Sequence, residues 1–122
     1  MPYSVLIVED DYATCSLWTK HLEFNGWMVQ SVTTVEAAEV CIAQQLPSLV
    51  ILDVNLASST NGWDLLTKIR CSPSTEKLPV FIVSTLDEPR YAAQLGATDF
   101  LCKPCSPTVL IERISQVFAD YA

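Results

Sequence analysis

The stretch "LVILD", Leu49 to Asp53, decides how the rest of the chain is read. It is apolar on consecutive positions, as a strand covered on both faces must be, and it ends in an acid. Moving outward, short apolar runs recur on either side: "SVLIVE" (Ser4 to Glu9), "WMVQSV" (Trp27 to Val32), "VFIVS" (Val80 to Ser84) and "DFLC" (Asp99 to Cys102). Between them the apolar periodicity predicts helices over roughly Tyr12 to Asn25, Thr34 to Gln45, Gly62 to Cys71, Pro89 to Leu95 and Ser106 to Tyr121. Their punctuation agrees. Gly26 and Gly96 stand where a helix stops, Pro89 and Pro107 fit a first turn, and Thr34 and Ser106 can cap. Strand and helix in alternation, joined by right-handed crossovers, predict an α/β fold: a doubly wound, five-stranded parallel sheet with helices on both faces. In such sheets the site lies beyond the carboxyl ends of the strands, where the strand order switches.

The composition narrows what such a site can do. With 122 residues, half of them hydrophobic, the chain fits one compact domain with a real core. A net charge of -7 argues against gripping a nucleic-acid backbone and suits collection of a cation. Three glycines are too few for a Gly-rich phosphate loop. No apolar run approaches the roughly 20 residues that span a bilayer, and "MPYSVLIVEDD" lacks the features of a signal peptide, so a cytoplasmic protein is expected. Five cysteines at irregular spacing read as core fillers in a reducing compartment.

The carboxyl ends of the predicted strands carry Glu9 and Asp10, then Asp53, Ser84 and Lys103. Three carboxylates brought together raise one another's pKa unless a cation lies between them, so the pattern asks for a metal. Oxygen-only ligands select a hard ion, and few protein ligands with several retained waters suit Mg2+. Lysine neutralises phosphate as a point charge. A carboxylate beside magnesium and lysine, with a hydroxyl aimed inward, is placed to attack phosphorus and to hold the three oxygens of the product. Asp11 reads as a helix-start residue favoured by the dipole.

Carried by "LIVEDD", "VILDVNL", "FIVST" and "GATDFLCKP", the sequence resembles the receiver domain of two-component response regulators over nearly its whole length, which implies a single receiver domain over residues 1–122. The resemblance implies a flavodoxin-like strand order 2-1-3-4-5. It also implies Asp53 as phosphoacceptor, with Mg2+ held by Asp10, Asp53 and the backbone carbonyl of Asn55, and by Glu9 through water. Ser84 is then the switch hydroxyl, Phe100 the switch aromatic and Lys103 the phosphoryl-binding lysine, and the Lys103–Pro104 bond is expected to be cis. The implied activity is that of a signalling switch and not a metabolic enzyme. It takes a phosphoryl group from a sensor histidine kinase or histidine phosphotransfer protein, or from a small phosphodonor, and hydrolyses it slowly. The implied reader is a downstream protein or fused output domain, through the surface of the fourth helix, fifth strand and fifth helix. No direct binding of nucleic acid or membrane is expected.

The chain departs from the family pattern in three places. Ala57 stands where a proline is usual, with Gly62 one residue late, and Thr85 replaces a small alanine. The segment from Ser84 to Lys103 is short, leaving about two turns for the fourth helix. These changes leave room for another class, a pseudo-receiver that binds partners without a phosphate switch. A second alternative is a thiol redox site at Cys102-Lys103-Pro104-Cys105, since a helix start and an adjacent lysine both lower a thiol pKa. Its position late in the chain counts against it. A flavodoxin-like cofactor binder is the third, opposed by the acidic loop "EDDYAT" where a flavin phosphate would sit. His21 reads as a surface or helix-packing residue, and Trp18, Trp27 and Trp63 as packing.

Overall fold

Ten elements alternate along the chain in the computed structural model, which describes residues 3–55 and 62–120. They are β1 (Ser4–Val8), α1 (Tyr12–Phe24), β2 (Met28–Val32), α2 (Val35–Gln44), β3 (Leu49–Asp53), α3 (Gly62–Cys71), β4 (Val80–Ser84), α4 (Pro89–Gln94), β5 (Asp99–Cys102) and α5 (Pro107–Asp120). The strands form one parallel sheet in the order β2-β1-β3-β4-β5. The reversal falls between β1 and β3, so the ends of these two strands flank the crevice where ligands bind in such sheets.

The consecutive apolar residues of β3 are explained by the two cores they serve. Val50 and Leu52 join Val35, Leu66 and Ile82 on one face, while Leu49 and Ile51 join Trp18, Phe81 and Ile114 on the other. Side chains alternate across a strand, so only an unbroken apolar run can fill both layers. Each fully buried Leu or Ile contributes about 1.5–3 kcal/mol. β2, at the sheet edge, has no fully buried residue, and it begins at Met28 instead of Trp27, whose ring packs edge-on against Phe118.

The ends of the elements follow local hydrogen bonds. The Asp11 carboxylate accepts from the Thr14 N–H and hydroxyl and starts α1. Thr34 Oγ1 accepts from Ala37 N at 3.1 Å, so α2 begins at Val35 with Thr34 as its cap. Ser106 Oγ accepts from Thr108 N, and α5 likewise starts one residue later than the periodicity suggests. Gly26 and Gly96 adopt φ of 84° and 92°, the left-handed conformation that ends α1 and α4. α4 has six residues, in keeping with the short fourth helix read from the sequence. The Lys103–Pro104 peptide is cis. Ala57 lies outside the described residues.

Trp18 is buried, and Trp63 packs edge-on against Tyr91. His21, on the exposed side of α1, sits 2.9 Å from the Leu17 carbonyl. No helix among the described residues is long and apolar enough to cross a membrane.

Candidate functional site

At the carboxyl edge of the sheet the side chains become polar because the strands end there and the layered cores give way to solvent. Glu9 follows β1, Asp53 ends β3 and Ser84 ends β4, and all three are buried, with 1%, 2% and 0% of their surface exposed. Burying two acids requires a counter-charge. Lys103, just past β5, supplies it: Nζ lies 2.7 Å from Glu9 Oε2 and 2.9 Å from Asp53 Oδ2. The remaining oxygens also have donors, Asp11 N on Glu9 Oε1 at 3.0 Å and Asn55 N on Asp53 Oδ1 at 2.8 Å. Asp10 is exposed, yet carboxylate oxygens of Glu9, Asp10 and Asp53 all lie within 4.8 Å of one another.

The electrostatics follow from this crowding. Burial pushes the Glu9 carboxyl above its ordinary value; the Lys103 ammonium opposes this, and the nearby Asp53 adds to it. For Lys103, burial works to lower the pKa, but Glu9 and Asp53 together outweigh it and hold the ammonium above its ordinary value. An oxygen-only cluster with more negative than positive charge matches the donor chemistry of a hard divalent cation.

Gly62 is what allows α3 to begin against this edge. A Cβ there would meet Val54 Cα at 3.0 Å and the Asp53 carbonyl oxygen at 3.2 Å, so only glycine lets the helix start touch the backbone that carries Asp53.

The structure thus draws Glu9, Asp10, Asp53 and Lys103 together directly. Ser84 joins them through the backbone, its carbonyl accepting from Lys103 N at 2.7 Å, and through its hydroxyl, which donates to Asn55 Oδ1 at 3.0 Å. Phe100 stands apart in the middle of β5, opposite Ile82, half-buried against the core that includes Ala92 of α4. Sequence reading attached only the backbone carbonyl of Asn55 to the site. Its side chain also takes part, accepting from Ser84 and, at 2.9 Å, from Thr85 N. The signal for this in the sequence is faint, a short amide two residues beyond an acid.

Cys102 is exposed and Cys105 half-buried, both as free thiols. Burial pushes the Cys105 thiol up, with Arg113 pulling weakly the other way. The lowered thiol pKa that would support the redox alternative is therefore not found at Cys105: loss of hydration outweighs the Arg113 charge.

Residues 5–115 match the family described as the response regulator receiver domain. The phosphate regulon transcriptional regulatory protein PhoB of Rhizobium meliloti is 31% identical over 113 residues, covering 90% of this chain and 49% of that protein. The chain spans about half the length of the first curated relatives it matches, 49% and 52%. Among solved structures, the chemotaxis response regulator CheY4 of Vibrio cholerae shares the fold with a TM-score of 0.88 at 22% identity, over 96% of this chain and 99% of that one. The BeF3-activated N-terminal receiver domain of Klebsiella pneumoniae RstA gives a TM-score of 0.82 at 27% identity, over 93% and 96%.

Proposed function

Because the chain belongs to the response regulator receiver family, a family of phosphoacceptor signalling modules, we propose that it is a phosphorylation-dependent switch with Asp53 as the acceptor. The observation that carries this reading is the setting of the Asp53 carboxylate. It is 2% exposed, bonded to Lys103 at 2.9 Å and clustered with Glu9 and Asp10 at the switch point of the sheet.

Three carboxylates facing one ammonium fit Mg2+, which Asp10, Asp53 and the backbone carbonyl of Asn55 would hold, with Glu9 reaching it through water. When bound, the ion supplies charge stabilisation to the phosphoryl oxygens. The chain's own residues do the rest. An Asp53 oxygen attacks the phosphorus of a phosphohistidine; the O–P bond forms as the P–N bond breaks, and the imidazole leaves with the electron pair and takes up a proton. Lys103 keeps the carboxylate oriented and meets the arriving negative charge, a contact that strengthens as charge builds on the phosphoryl oxygens. Ser84 then turns its hydroxyl to the phosphoryl group, Phe100 moves in response, and the surface of α4, β5 and α5 changes.

The donor in this reading is a sensor histidine kinase or histidine phosphotransfer protein in the cytoplasm, and the domain spans residues 1–122. The reader is a downstream protein or a fused output domain. The second option is supported by the R. meliloti relative, which is named as a transcriptional regulator and matched over 49% of its length.

Acetyl phosphate with Mg2+ should add one phosphoryl group, labile to hydroxylamine, to the parent and none to Asp53→Asn, since an amide is a poor nucleophile. Labelling that persists in Asp53→Asn, or a folded parent that refuses every donor, would instead favour a pure interaction module.

A further inference from the structure

We infer that the Asn55 side chain is a latch that positions Ser84 and holds the turn between β4 and α4 in its unphosphorylated form. The coupling of this latch to the phosphoryl group rests on the function proposed above; the latch itself rests on geometry alone. Asn55 Oδ1 gathers three donors: Ser84 Oγ at 3.0 Å, Thr85 N at 2.9 Å and Thr85 Oγ1 at 3.3 Å. A backbone N–H can only donate, so the amide atom facing Thr85 N is the oxygen, and Ser84 must spend its single proton on it. Ser84 Oγ in turn accepts from Leu86 N at 3.0 Å. Asn55 thus orients the Ser84 hydroxyl, and the hydroxyl ties down the backbone of Leu86, three residues before α4 begins.

Burial makes this arrangement two-state. Ser84 is 0% exposed, so its hydroxyl cannot turn to bulk water and needs another acceptor within reach when it leaves Asn55. A phosphoryl oxygen on Asp53 is that acceptor. As Ser84 turns to it, Leu86 N is released and the turn before α4 is freed to move. Thr85 adds a second element. Its N–H and hydroxyl stay on Asn55 Oδ1 after Ser84 has gone, so the amide keeps its partners and its backbone, which also donates to Asp53 Oδ1 at 2.8 Å, stays in register with the acceptor. The alanine usual at this position would leave the N–H alone to do this.

The test is amide hydrogen exchange by NMR on the unphosphorylated protein. Asn55→Ala should speed exchange at Thr85 and Leu86 by about tenfold, the loss of one ordinary hydrogen bond, while Ile82 in the middle of β4 is unchanged and reports intact global stability. Ser84→Ala should speed Leu86 and leave Thr85 protected, and combining it with Asn55→Ala should add nothing further at Leu86. Thr85→Ser should behave as the parent. Unchanged exchange at Thr85 and Leu86 in Asn55→Ala, or additive effects in the double variant, would overturn the latch. Coupling is read separately, by adding Mg2+ and beryllofluoride to the parent: Leu86 should lose its protection. Binding of beryllofluoride that leaves Leu86 protected overturns the coupling alone. A parent that binds no beryllofluoride overturns the proposed function, and with it the coupling, while the exchange pattern of the free protein still decides the latch.

Discussion

Lys103 Nζ lies 2.9 Å from Asp53 Oδ2, a pair formed across 50 residues of sequence by the ends of β5 and β3. With Asn55 N on Oδ1, both oxygens of the buried carboxylate are engaged, so its orientation is set before any phosphoryl group arrives. The same ammonium serves Glu9, which makes Lys103 the shared counter-charge of two buried acids.

Lys103→Ala should therefore slow phosphorylation by acetyl phosphate by about a hundredfold, the usual cost of removing one preorganised charge-stabilising donor. Cys102→Ser with Cys105→Ala should leave the rate within about twofold of the parent, because neither thiol bonds Asp53 and burial pushes the Cys105 thiol up, away from its reactive form. A rapid-quench time course distinguishes the two, and the reverse ranking would reinstate a thiol role.

The raised Lys103 pKa sets a sign for stability at high pH. The folded protein holds this proton more tightly than the unfolded chain, so the pair's contribution is complete below the ordinary lysine value of 10.5 and is lost as pH rises through the folded pKa. Urea midpoints of the parent should fall across that window more steeply than those of Lys103→Met. Parallel curves would show that the ammonium is no better bound in the folded state.

Mg2+ should change the tryptophan fluorescence of the parent, since Trp63 follows Gly62 at the start of α3, which packs on the backbone of Asp53. Asp10→Ala should weaken this response by at least about tenfold, because a site with few protein ligands depends on each carboxylate. Equal titration curves for the two proteins would remove Asp10 from the metal site.

Gly62→Ala should destabilise the protein even though alanine is the better helix former. The helical gain is at most about 1 kcal/mol, whereas forcing a Cβ to within 3.0 Å of Val54 Cα overpacks backbone against backbone at about 1–3 kcal/mol. Urea denaturation would register the difference, and phosphorylation should slow with it because the displaced backbone carries Asp53. A stabilised variant would mean that α3 can shift without cost.

The sequence by itself determined the order and type of all ten elements, because hydrophobic periodicity and helix punctuation are local properties of the chain. The unbroken run at Leu49 to Leu52 alone required a strand between two cores. It also determined that Glu9, Asp10, Asp53 and Lys103 would share one edge, since parallel strands place all their carboxyl ends on the same side. Tertiary structure decided the rest. That Lys103 bridges two acids, that Asn55 Oδ1 faces Ser84 and Thr85, and that burial raises the Cys105 pKa against the pull of Arg113 all depend on distances between strands and on lost hydration. A hydrogen bond or a desolvated thiol depends on what the fold brings within about 3 Å of it, and the order of residues along the chain does not carry that spacing.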